Sequence, residues 1–260
     1  MAENSDTLAL VTGASTGIGF ELARCFADDG HGLIVVAEEE EGPLLEAATM
    51  LRQAGAPRVE TVVVDLSRPE GPDELHAAVQ RIGVLPEFLV NNAGIGVYGD
   101  FARETRWEDE LRLIQLNVVA VVRLTKLFVP AMVERGSGRI LITSSVAAIA
   151  PSPLQSVYSA SKAFEYAFAE GIANELSDTG VTVTALMPDA TETEFFIRAG
   201  MEDSKLGQAS KADPADIARA GYDAMMKGKD HVIAPFTAKL KTVLTAVLPE
   251  RMVAGMARAD

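Results

Sequence analysis

A tyrosine and a lysine stand four residues apart in VYSASKAF, residues 157–164, a segment otherwise rich in small side chains. On a helix, positions four apart lie on one face, so Tyr158 and Lys162 would be neighbours. An unperturbed phenol has a pKa of about 10, and a nearby ammonium group stabilises the phenolate form. The pair could therefore exchange a proton with a substrate near neutral pH, whereas an ordinary surface pair at this spacing would have no chemical role.

A glycine-rich turn follows the first apolar run of the chain. TGASTGIG, residues 12–19, places glycines at 13, 17 and 19 between LALVT (8–12) and a segment with helical periodicity. Glycines let the backbone approach a pyrophosphate closely, and the N-terminus of the next helix supplies unpaired N–H groups. The spacing differs from the common G-x-G-x-x-G pattern, and such a turn taken alone indicates nucleotide binding only weakly.

Three further apolar runs end in residues suited to a nucleotide cleft. Glu38 follows the second run, where an acidic side chain can accept hydrogen bonds from the adenosine ribose; Asp65 ends the third in VDLS; and NNAG (91–94) ends the fourth. The carboxyl ends of parallel strands meet at one sheet edge, so these residues are predicted to lie together. Each of them, taken singly, could be an ordinary loop residue.

Short β-branched runs alternate with longer helical patterns along the whole chain. Strands are predicted at 8–12, 32–37, 59–64, 87–90, 138–143, 181–186 and 231–234, and helices near 17–29, 43–54, 70–82, 104–134, 156–179 and 213–227. Nearly continuous apolar strands are typical of a parallel sheet covered on both faces. The predicted fold class is α/β, a doubly wound Rossmann-type parallel sheet flanked by helices on both faces, in a single domain over 1–260.

Composition and charge exclude several classes of function. The chain has 37 acidic and 23 basic residues, a net charge of −14, which argues against nucleic-acid partners and against an anionic membrane surface. Cys25 is the only cysteine, so no intrachain disulfide can form and a cytoplasmic location is favoured. The acidic N-terminus does not fit a signal peptide. The apolar stretch 111–133 is predicted to be a buried helix because polar residues interrupt it at helical intervals.

As a set, these motifs resemble those of the short-chain dehydrogenases/reductases. The resemblance runs from residue 8 to about 230 and rests on TGASTGIG, NNAG, Asn117 in LNV, a serine in ITSSVA, and YxxxK as Tyr158–Lys162. It implies a Rossmann-type fold, a nicotinamide cofactor and hydride transfer between an alcohol and a carbonyl. The family's catalytic serine usually lies 13 residues before the tyrosine, which selects Ser145 over Ser144.

The resemblance also implies roles for individual residues. Tyr158 would exchange the proton, and Ser145 would hold the substrate oxygen. Lys162 would lower the pKa of the phenol and bind the nicotinamide ribose, while Asn117 would hold a water that relays protons to solvent. No metal is expected. Besides Tyr158 and Lys162, the implied cofactor-binding residues are Gly13, Ser15, Thr16, Gly17, Ile18, Gly19, Glu38, Asp65, Leu66, Asn91, Ala93, Gly94, Pro188, Thr191 and Thr193.

The end of the second strand predicts NAD(H) rather than NADP(H) as the cofactor. This strand runs into four glutamates, residues 38–41, and the glycine turn carries Ser15 and Thr16 rather than a basic residue. A carboxylate at Glu38 would bind ribose hydroxyls and repel a 2′-phosphate. The glutamates could instead form a solvated surface with no ligand.

The resemblance places the substrate among residues 95–99, 147–155 and 189–201 and implies a lid at 189–212. The sequence pattern itself predicts an amphipathic helical tail at 235–260. The apolar side chains in the substrate segments favour an apolar or aromatic carbonyl compound; they are Ile95, Val97, Tyr98, Ile149, Leu154, Phe195, Phe196, Ile197 and Met201. Asp189 departs from the family pattern, which usually has glycine after the proline at this position. Its carboxylate could bind a polar group or point away.

The helix predicted over 156–179 is apolar on two sides, which predicts a homo-oligomer, a dimer or a tetramer. The family resemblance also implies a partner subunit. The second apolar side consists of Ala160, Ala163, Phe164, Ala167, Phe168 and Gly171. Two other functions stay open at this point. One is a non-redox enzyme on the same scaffold, such as a dehydratase, epimerase or dehalogenase; the other is a nucleotide-sensing binding protein, against which Ser145, Tyr158 and Lys162 argue.

Overall fold

A computed structural model of the protein describes residues 7–38, 42–201, 204, 208 and 211–235. Seven strands form one sheet in which every neighbouring pair is parallel, in the order β3-β2-β1-β4-β5-β6-β7. The strands are β1 Leu8–Thr12, β2 Gly32–Ala37, β3 Val59–Val63, β4 Phe88–Asn91, β5 Gly138–Thr143, β6 Val181–Pro188 and β7 His231–Ala234. The order reverses between β1 and β4, so a crevice opens at the carboxyl ends of these two strands.

Helices cover both faces of the sheet, which confirms the predicted doubly wound fold. They are α1 Gly17–Asp28, α2 Pro43–Ala54, α3 Gly71–Ile82, α4 Trp107–Ile114, α5 Val121–Arg135, α6 Ser156–Glu175, α7 Phe195–Arg198 and α8 Pro214–Met226. A π-helical segment, Gln115–Ala120, joins α4 to α5, and a 3₁₀ turn at Val146–Ala148 precedes α6. The predicted tail lies outside the described residues apart from Pro235, and the predicted lid is described only in part.

Two apolar cores explain why the strands are nearly continuous in apolar residues. Along β1, Val11 packs into the core beneath α1, α2 and α8, whereas Leu10 packs into the core beneath α3, α5 and α6. Successive side chains of a strand point to opposite faces, so a strand covered on both faces needs an apolar residue at each position. Both Leu10 and Val11 are fully buried.

The long apolar helix that spans α4, the π-helical segment and α5 is a core helix. Trp107–Arg135 is long and apolar enough by composition to cross a membrane. However, Leu116, Leu124, Phe128 and Met132 are buried in the second core, at intervals close to those of one helix face. Packing against the sheet therefore accounts for its apolar character.

Candidate active site

One cleft of about 950 Å³ lies at the carboxyl edge of the sheet. Its predicted lining residues are Gly13, Ser15, Thr16, Gly17, Ile18, Gly19, Ala93, Gly94, Ser145, Tyr158, Lys162, Pro188, Thr191 and Thr193. A pocket of about 80 Å³ shares the glycine turn and reaches the ends of β2 and β3. Glu38, Asp65 and Leu66 line this smaller pocket. The fold thus brings together segments that are distant in the sequence along one elongated groove.

The glycine turn between β1 and α1 is a cradle that side chains would fill. Gly13 has a φ of +65°, and a Cβ on this residue would lie 2.9 Å from the Cα of Ala93. A Cβ on Gly19 would overlap the carbonyl oxygen of Gly13. Within the described part of the chain, no side chain caps the N-terminus of α1 and no acidic residue occupies its first turn. These backbone N–H groups therefore suit the pyrophosphate of a dinucleotide.

Thr12 and Asn92, which the sequence reasoning did not single out, hold the turn against β4. The Thr12 hydroxyl accepts hydrogen bonds from the backbone N–H groups of Asn92 (2.9 Å) and Ala93 (3.0 Å). The Asn92 amide donates to the carbonyl oxygen of Thr12 at 3.1 Å. The sequence signal for both was present, because Thr12 opens TGASTGIG and Asn92 belongs to NNAG.

The side chain of Asn91 points away from the cleft in which the cofactor is predicted to bind. Asn91 is buried, and its amide donates to the hydroxyl of Thr125 on α5 at 3.1 Å, while Asn92 lines the cleft. Alternation along β4 is the physical reason, because neighbouring residues of a strand point in opposite directions. The amide of Asn91 therefore ties the strand to a core helix rather than to a ligand.

The smaller pocket, at the ends of β2 and β3, holds an ion pair. Arg112, on α4, donates through Nη2 to the Glu38 carboxylate at 2.5 Å and through Nε to the Ser67 hydroxyl at 3.2 Å. Asp65 accepts hydrogen bonds from the backbone N–H and the hydroxyl of Ser67. Burial raises the pKa of Asp65, but the bonds from Ser67 outweigh it and hold this pKa below its usual value. Arg112 thus bridges the ends of β2 and β3.

Asn117 lies in the π-helical segment and is fully buried. Its Oδ1 accepts from the backbone N–H of Ile95 at 3.0 Å, and its Nδ2 donates to the carbonyl of Ile95 at 3.0 Å and to the hydroxyl of Ser161 at 3.1 Å. A Cβ on Gly94 would lie only 3.2 Å from Oδ1. Asn117 therefore fixes the segment that follows β4. One side of this segment lines the cleft.

Of the two serines after β5, only Ser145 faces the cleft in a position to contact a ligand through its hydroxyl. The Ser144 side chain is buried and donates to the carbonyl of Lys162 at 2.7 Å. The Ser145 hydroxyl accepts from the backbone N–H of Ala147 at 3.1 Å and lies 3.5 Å from the carbonyl of Pro188. This arrangement agrees with the choice of Ser145 from its distance to Tyr158 in the sequence.

Tyr158 and Lys162 share one face of α6, as their spacing predicted. Both are buried, and the Lys162 Nζ lies 5.8 Å from the centroid of the Tyr158 ring. Burial raises the pKa of Tyr158 above its ordinary value, while Lys162 and a hydrogen bond with Ser145 lower it. The phenol is therefore protonated at neutral pH and has two groups beside it that stabilise the phenolate.

Glu165 is a further buried group that sequence reasoning missed. It lies one turn after Lys162 and forms an ion pair with it, in which Oε1 accepts from Nζ at 3.0 Å. Burial raises the pKa of Glu165 to about 7 against the opposing effect of Lys162. The sequence did contain a signal for Glu165, because this residue lies four positions before Ala169, on the apolar side of the helix that carries Tyr158 and Lys162.

The segment after β6 forms the opposite wall of the cleft. Asp189 lines it, and its Oδ1 accepts from the backbone N–H of Ala190 at 2.8 Å. The Thr191 hydroxyl donates to the carbonyl of Asp189 at 2.7 Å. Thr193 packs against the glycine turn, since a Cβ on Gly17 would lie 2.9 Å from its Cγ2.

An apolar wall closes the cleft above Tyr158. Phe195, Phe196 and Met201 from the predicted lid line it together with side chains of the 95–99 and 147–155 segments. The predicted substrate residues found in the lining are Ile95, Tyr98, Leu154, Phe195, Phe196 and Met201. Val97, Ile149 and Ile197 are absent from the lining within the described residues; Ile197 is 61% exposed because it lies on the outer side of the short helix α7.

Known proteins share both the sequence pattern and the fold. Residues 7–203 match the family described as short chain dehydrogenase. The chain is 37% identical over 199 residues to sulfoacetaldehyde reductase 2 of Chromohalobacter salexigens, a match that covers 74% of this chain and 76% of that protein.

Two solved structures have the same architecture over most of their length. A short-chain dehydrogenase from Sphingobium yanoikuyae in complex with NADPH is 30% identical, with a TM-score of 0.81 over 94% of this chain and 97% of that one. The bulky-bulky ketone specific alcohol dehydrogenase from Comamonas testosteroni is 25% identical, with a TM-score of 0.77 over 94% and 95% of the two chains. The chain belongs to the short-chain dehydrogenase family and is an oxidoreductase of that family.

Proposed function

We propose that this oxidoreductase interconverts a bulky, apolar or aromatic carbonyl compound and its alcohol, with Tyr158 as the general acid and base. The observation that carries the proposal is the meeting of Ser145, Tyr158 and Lys162 on the floor of a cleft that an apolar wall closes above Tyr158. A nucleotide-sensing protein would have no use for a buried phenol beside an ammonium group. The presence of the lysine also disfavours dehalogenation.

The proposed chemistry follows from the protonation states of these side chains. A carbonyl oxygen bound between Tyr158 and Ser145 would accept a hydrogen bond from each hydroxyl. During reduction Tyr158 donates its proton to this oxygen, and the Lys162 ammonium stabilises the phenolate that remains. During oxidation the same phenolate accepts the alcohol proton. Such a proton transfer typically contributes a rate factor of roughly a hundred or more.

A nicotinamide dinucleotide fits the rest of the groove, and when bound it would supply or accept the hydride. The glycine turn and the N-terminus of α1 would hold its pyrophosphate, and Glu38 with Asp65 would lie at the adenosine end. Lys162 would bind the nicotinamide ribose, and Thr191 with Thr193 would face the carboxamide. The proposed relay water would bind an oxygen atom of Asn117, because both of its amide hydrogens are already donated.

NAD(H) is the cofactor that we propose, on the basis of charge at the end of β2. Glu38 lines the adenosine pocket, and its carboxylate would accept bonds from the ribose but repel a 2′-phosphate. Arg112 neutralises part of this charge through its ion pair with Glu38. The related Sphingobium structure contains NADPH. In this chain we expect the Glu38 carboxylate to favour NAD(H) if it meets the ribose, and the Arg112 guanidinium to favour NADP(H) if it meets a 2′-phosphate.

The lining of the cleft supports a neutral and sizeable substrate. Aromatic and aliphatic side chains face the Tyr158 hydroxyl, and a volume of about 950 Å³ leaves room for such a molecule beside a cofactor. The carboxylates of Asp189 and Glu194 line the same cleft and disfavour an anionic substrate. A bulky ketone fits this lining better than a small sulfonate.

We also propose that the protein is a homo-oligomer and is located in the cytoplasm. An exposed apolar stripe on α6, formed by Ala160, Phe164, Ala167 and Gly171, supports a homodimer or homotetramer in which α6 packs on a second copy. Phe164 is 41% exposed, and its ring stacks on that of Phe168. The reduced, buried Cys25 fits the cytoplasm.

The test is a substrate screen that follows the absorbance of the reduced cofactor. Purified protein is given NADH or NADPH with aryl and bulky aliphatic ketones, small aldehydes and sulfoacetaldehyde, and the reverse reaction is run with the alcohols. We expect the highest kcat/KM with a bulky neutral ketone. Absence of cofactor turnover with every carbonyl, together with tight cofactor binding, would instead favour the sensor.

A further inference from the structure

Glu165 places a buried carboxyl group against the proposed catalytic lysine. Its side chain is 1% exposed and that of Lys162 is 5% exposed. Oε1 accepts a hydrogen bond from Nζ at 3.0 Å, whereas Oε2 lies 2.9 Å from the same nitrogen without making one. Nζ also donates to the carbonyl oxygen of Thr143 at 2.9 Å. An ammonium group has three N–H donors, so two of them are already used inside the protein.

These contacts fix where the ammonium lies. A Cβ on Gly94 would lie 3.3 Å from Nζ, so the nitrogen is enclosed between the chain after β4, the end of β5 and α6. Glu165 approaches from the α6 side, and Tyr158 lies one turn before Lys162 on the same helix. A carboxylate at this distance offsets part of the positive charge that Tyr158 would otherwise experience.

We propose that Glu165 is a positioning residue that holds the Lys162 ammonium on the Thr143 carbonyl and sets how strongly this ammonium stabilises the phenolate of Tyr158. The inference rests on the proposed roles of Tyr158 and Lys162. When Glu165 is ionised, the phenol keeps its proton to a higher pH. When Glu165 is protonated, the full charge of Lys162 acts on Tyr158.

The charges around Tyr158 agree with this description. Burial raises its pKa and Glu165 raises it further, while Lys162 and Ser145 lower it. Burial also places the pKa of Glu165 near neutrality, at about 7, so its charge changes within the working range of a cytoplasmic enzyme.

Few other ionisable groups face Glu165 from the elements packed on α6. The π-helical segment, the 3₁₀ turn at 146–148 and β6 contain none. β5 carries Arg139, at the opposite end of the strand from Thr143, and α4 carries Glu110, which is buried, together with Glu108, Asp109 and Arg112. Among the described residues, Lys162 is the charged group that acts on the pKa of Glu165.

The decisive experiment titrates Tyr158 in the protein without cofactor or substrate, by the ultraviolet absorbance of tyrosinate. Each titration is measured as a difference between a protein and the same protein with Tyr158→Phe, which isolates the one phenol. We expect Glu165→Gln to move the Tyr158 midpoint to lower pH by on the order of one unit, because a unit charge nearby is removed from a low-dielectric site. Glu175→Gln, an exposed change on the same helix, is the matched control and leaves the midpoint unchanged.

An unchanged midpoint in folded Glu165→Gln overturns the inference, and so does an equal shift in Glu175→Gln. Breaking a buried ion pair leaves an uncompensated charge and can unfold a protein, so Glu165→Asp is titrated in parallel. This variant keeps a carboxylate but draws it back from Nζ, and it should give a smaller shift in the same direction. Failure of both variants to fold would assign the ion pair to stability alone and would also overturn it.

The titration also separates this inference from the proposed function, because it involves no turnover. A shifted midpoint in a protein that reduces no carbonyl would retain the role of Glu165 and reject the function. An unshifted midpoint in an active reductase would do the reverse. In an active enzyme, Glu165→Gln should in addition move the rising limb of the pH profile of alcohol oxidation to lower pH by the same amount.

Discussion

The ring of Phe195 lies against the phenol ring of Tyr158, with 5.3 Å between the centroids and 49° between the planes. Phe195 belongs to α7 in the predicted lid, whereas Tyr158 lies on α6. Gly96 makes room for this contact, since a Cβ there would lie 2.6 Å from the Phe195 Cζ. The predicted lid segment therefore places an aromatic ring beside the proposed proton donor.

Replacing Phe195 by alanine should raise KM for an aryl ketone about tenfold, because an aromatic contact and its burial contribute on the order of 1.5 kcal/mol. The affinity for cofactor, measured by fluorescence titration, should stay within about twofold. Ile197→Ala is the control on the same short helix, since that side chain is 61% exposed and outside the lining. Equal effects of the two substitutions would mean that the lid acts through its folding rather than through the Phe195 ring.

Tyr158→Phe should lower kcat for carbonyl reduction by a factor of roughly a hundred or more, the typical contribution of general acid catalysis. Only a hydroxyl is removed, so cofactor affinity and thermal stability should change little. Steady-state kinetics on the best substrate from the screen, with cofactor affinity measured separately, makes the comparison. Retention of more than about a tenth of kcat would assign the proton transfer to another group.

Gly19→Ala should abolish cofactor binding, because its Cβ would overlap the carbonyl oxygen of Gly13 and force the turn open. Gly171→Ala is the matched control in α6, where a Cβ meets nothing within 4 Å and alanine is favoured over glycine by about 1 kcal/mol in a helix interior. Isothermal calorimetry with NADH measures the difference. Normal affinity in folded Gly19→Ala would place the dinucleotide elsewhere.

Glu38→Ala should shift cofactor preference towards NADPH, since it removes a carboxylate from the adenosine pocket and leaves Arg112 without its ion-pair partner there. Arg112→Ala should strengthen the preference for NADH, because Glu38 then lacks a neutralising cation. The ratio of kcat/KM for the two reduced cofactors, measured on one ketone for both variants, checks these opposite directions. A wild-type preference for NADPH would reject NAD(H) as the cofactor, and shifts in the same direction would reject the ion pair as its determinant.

Ala167→Arg should dissociate the proposed oligomer, because it places a charge in the middle of the exposed apolar stripe of α6. Light scattering at micromolar concentration should find a dimer or tetramer for the wild-type protein and a smaller species for the variant. Glu175→Lys, outside the stripe on the same helix, is the control for a change of charge. A monomeric wild-type protein would contradict the proposed interface.

Local patterns in the sequence were sufficient for the fold class and for much of the cleft. Both faces of the sheet are covered, so every position of β1 and β2 is buried, and the resulting nearly continuous apolar run is visible without any tertiary information. The turn in TGASTGIG and the shared face of Tyr158 and Lys162 depend on residues close in sequence. Helical spacing fixes such relationships before the chain is packed.

Only the tertiary structure decided the partners of several polar groups. Arg112 pairs with Glu38 across 74 residues, and Asn91 turns to Thr125 while its neighbour Asn92 faces the cleft. Asn117 binds the backbone of Ile95 because the chain after β4 packs beside the π-helical segment.

The environment of Glu165 depends on both the local sequence pattern and the tertiary packing. Its place beside Lys162 on α6 follows from the sequence, but its burial does not, because an acidic residue on a helix is ordinarily solvated. Burial required the ends of β5 and the π-helical segment to pack over α6. Spacing along the chain determines which side chains share a face, whereas the order of strands and the packing of helices determine what that face meets, and with it the charge and protonation of the groups it carries.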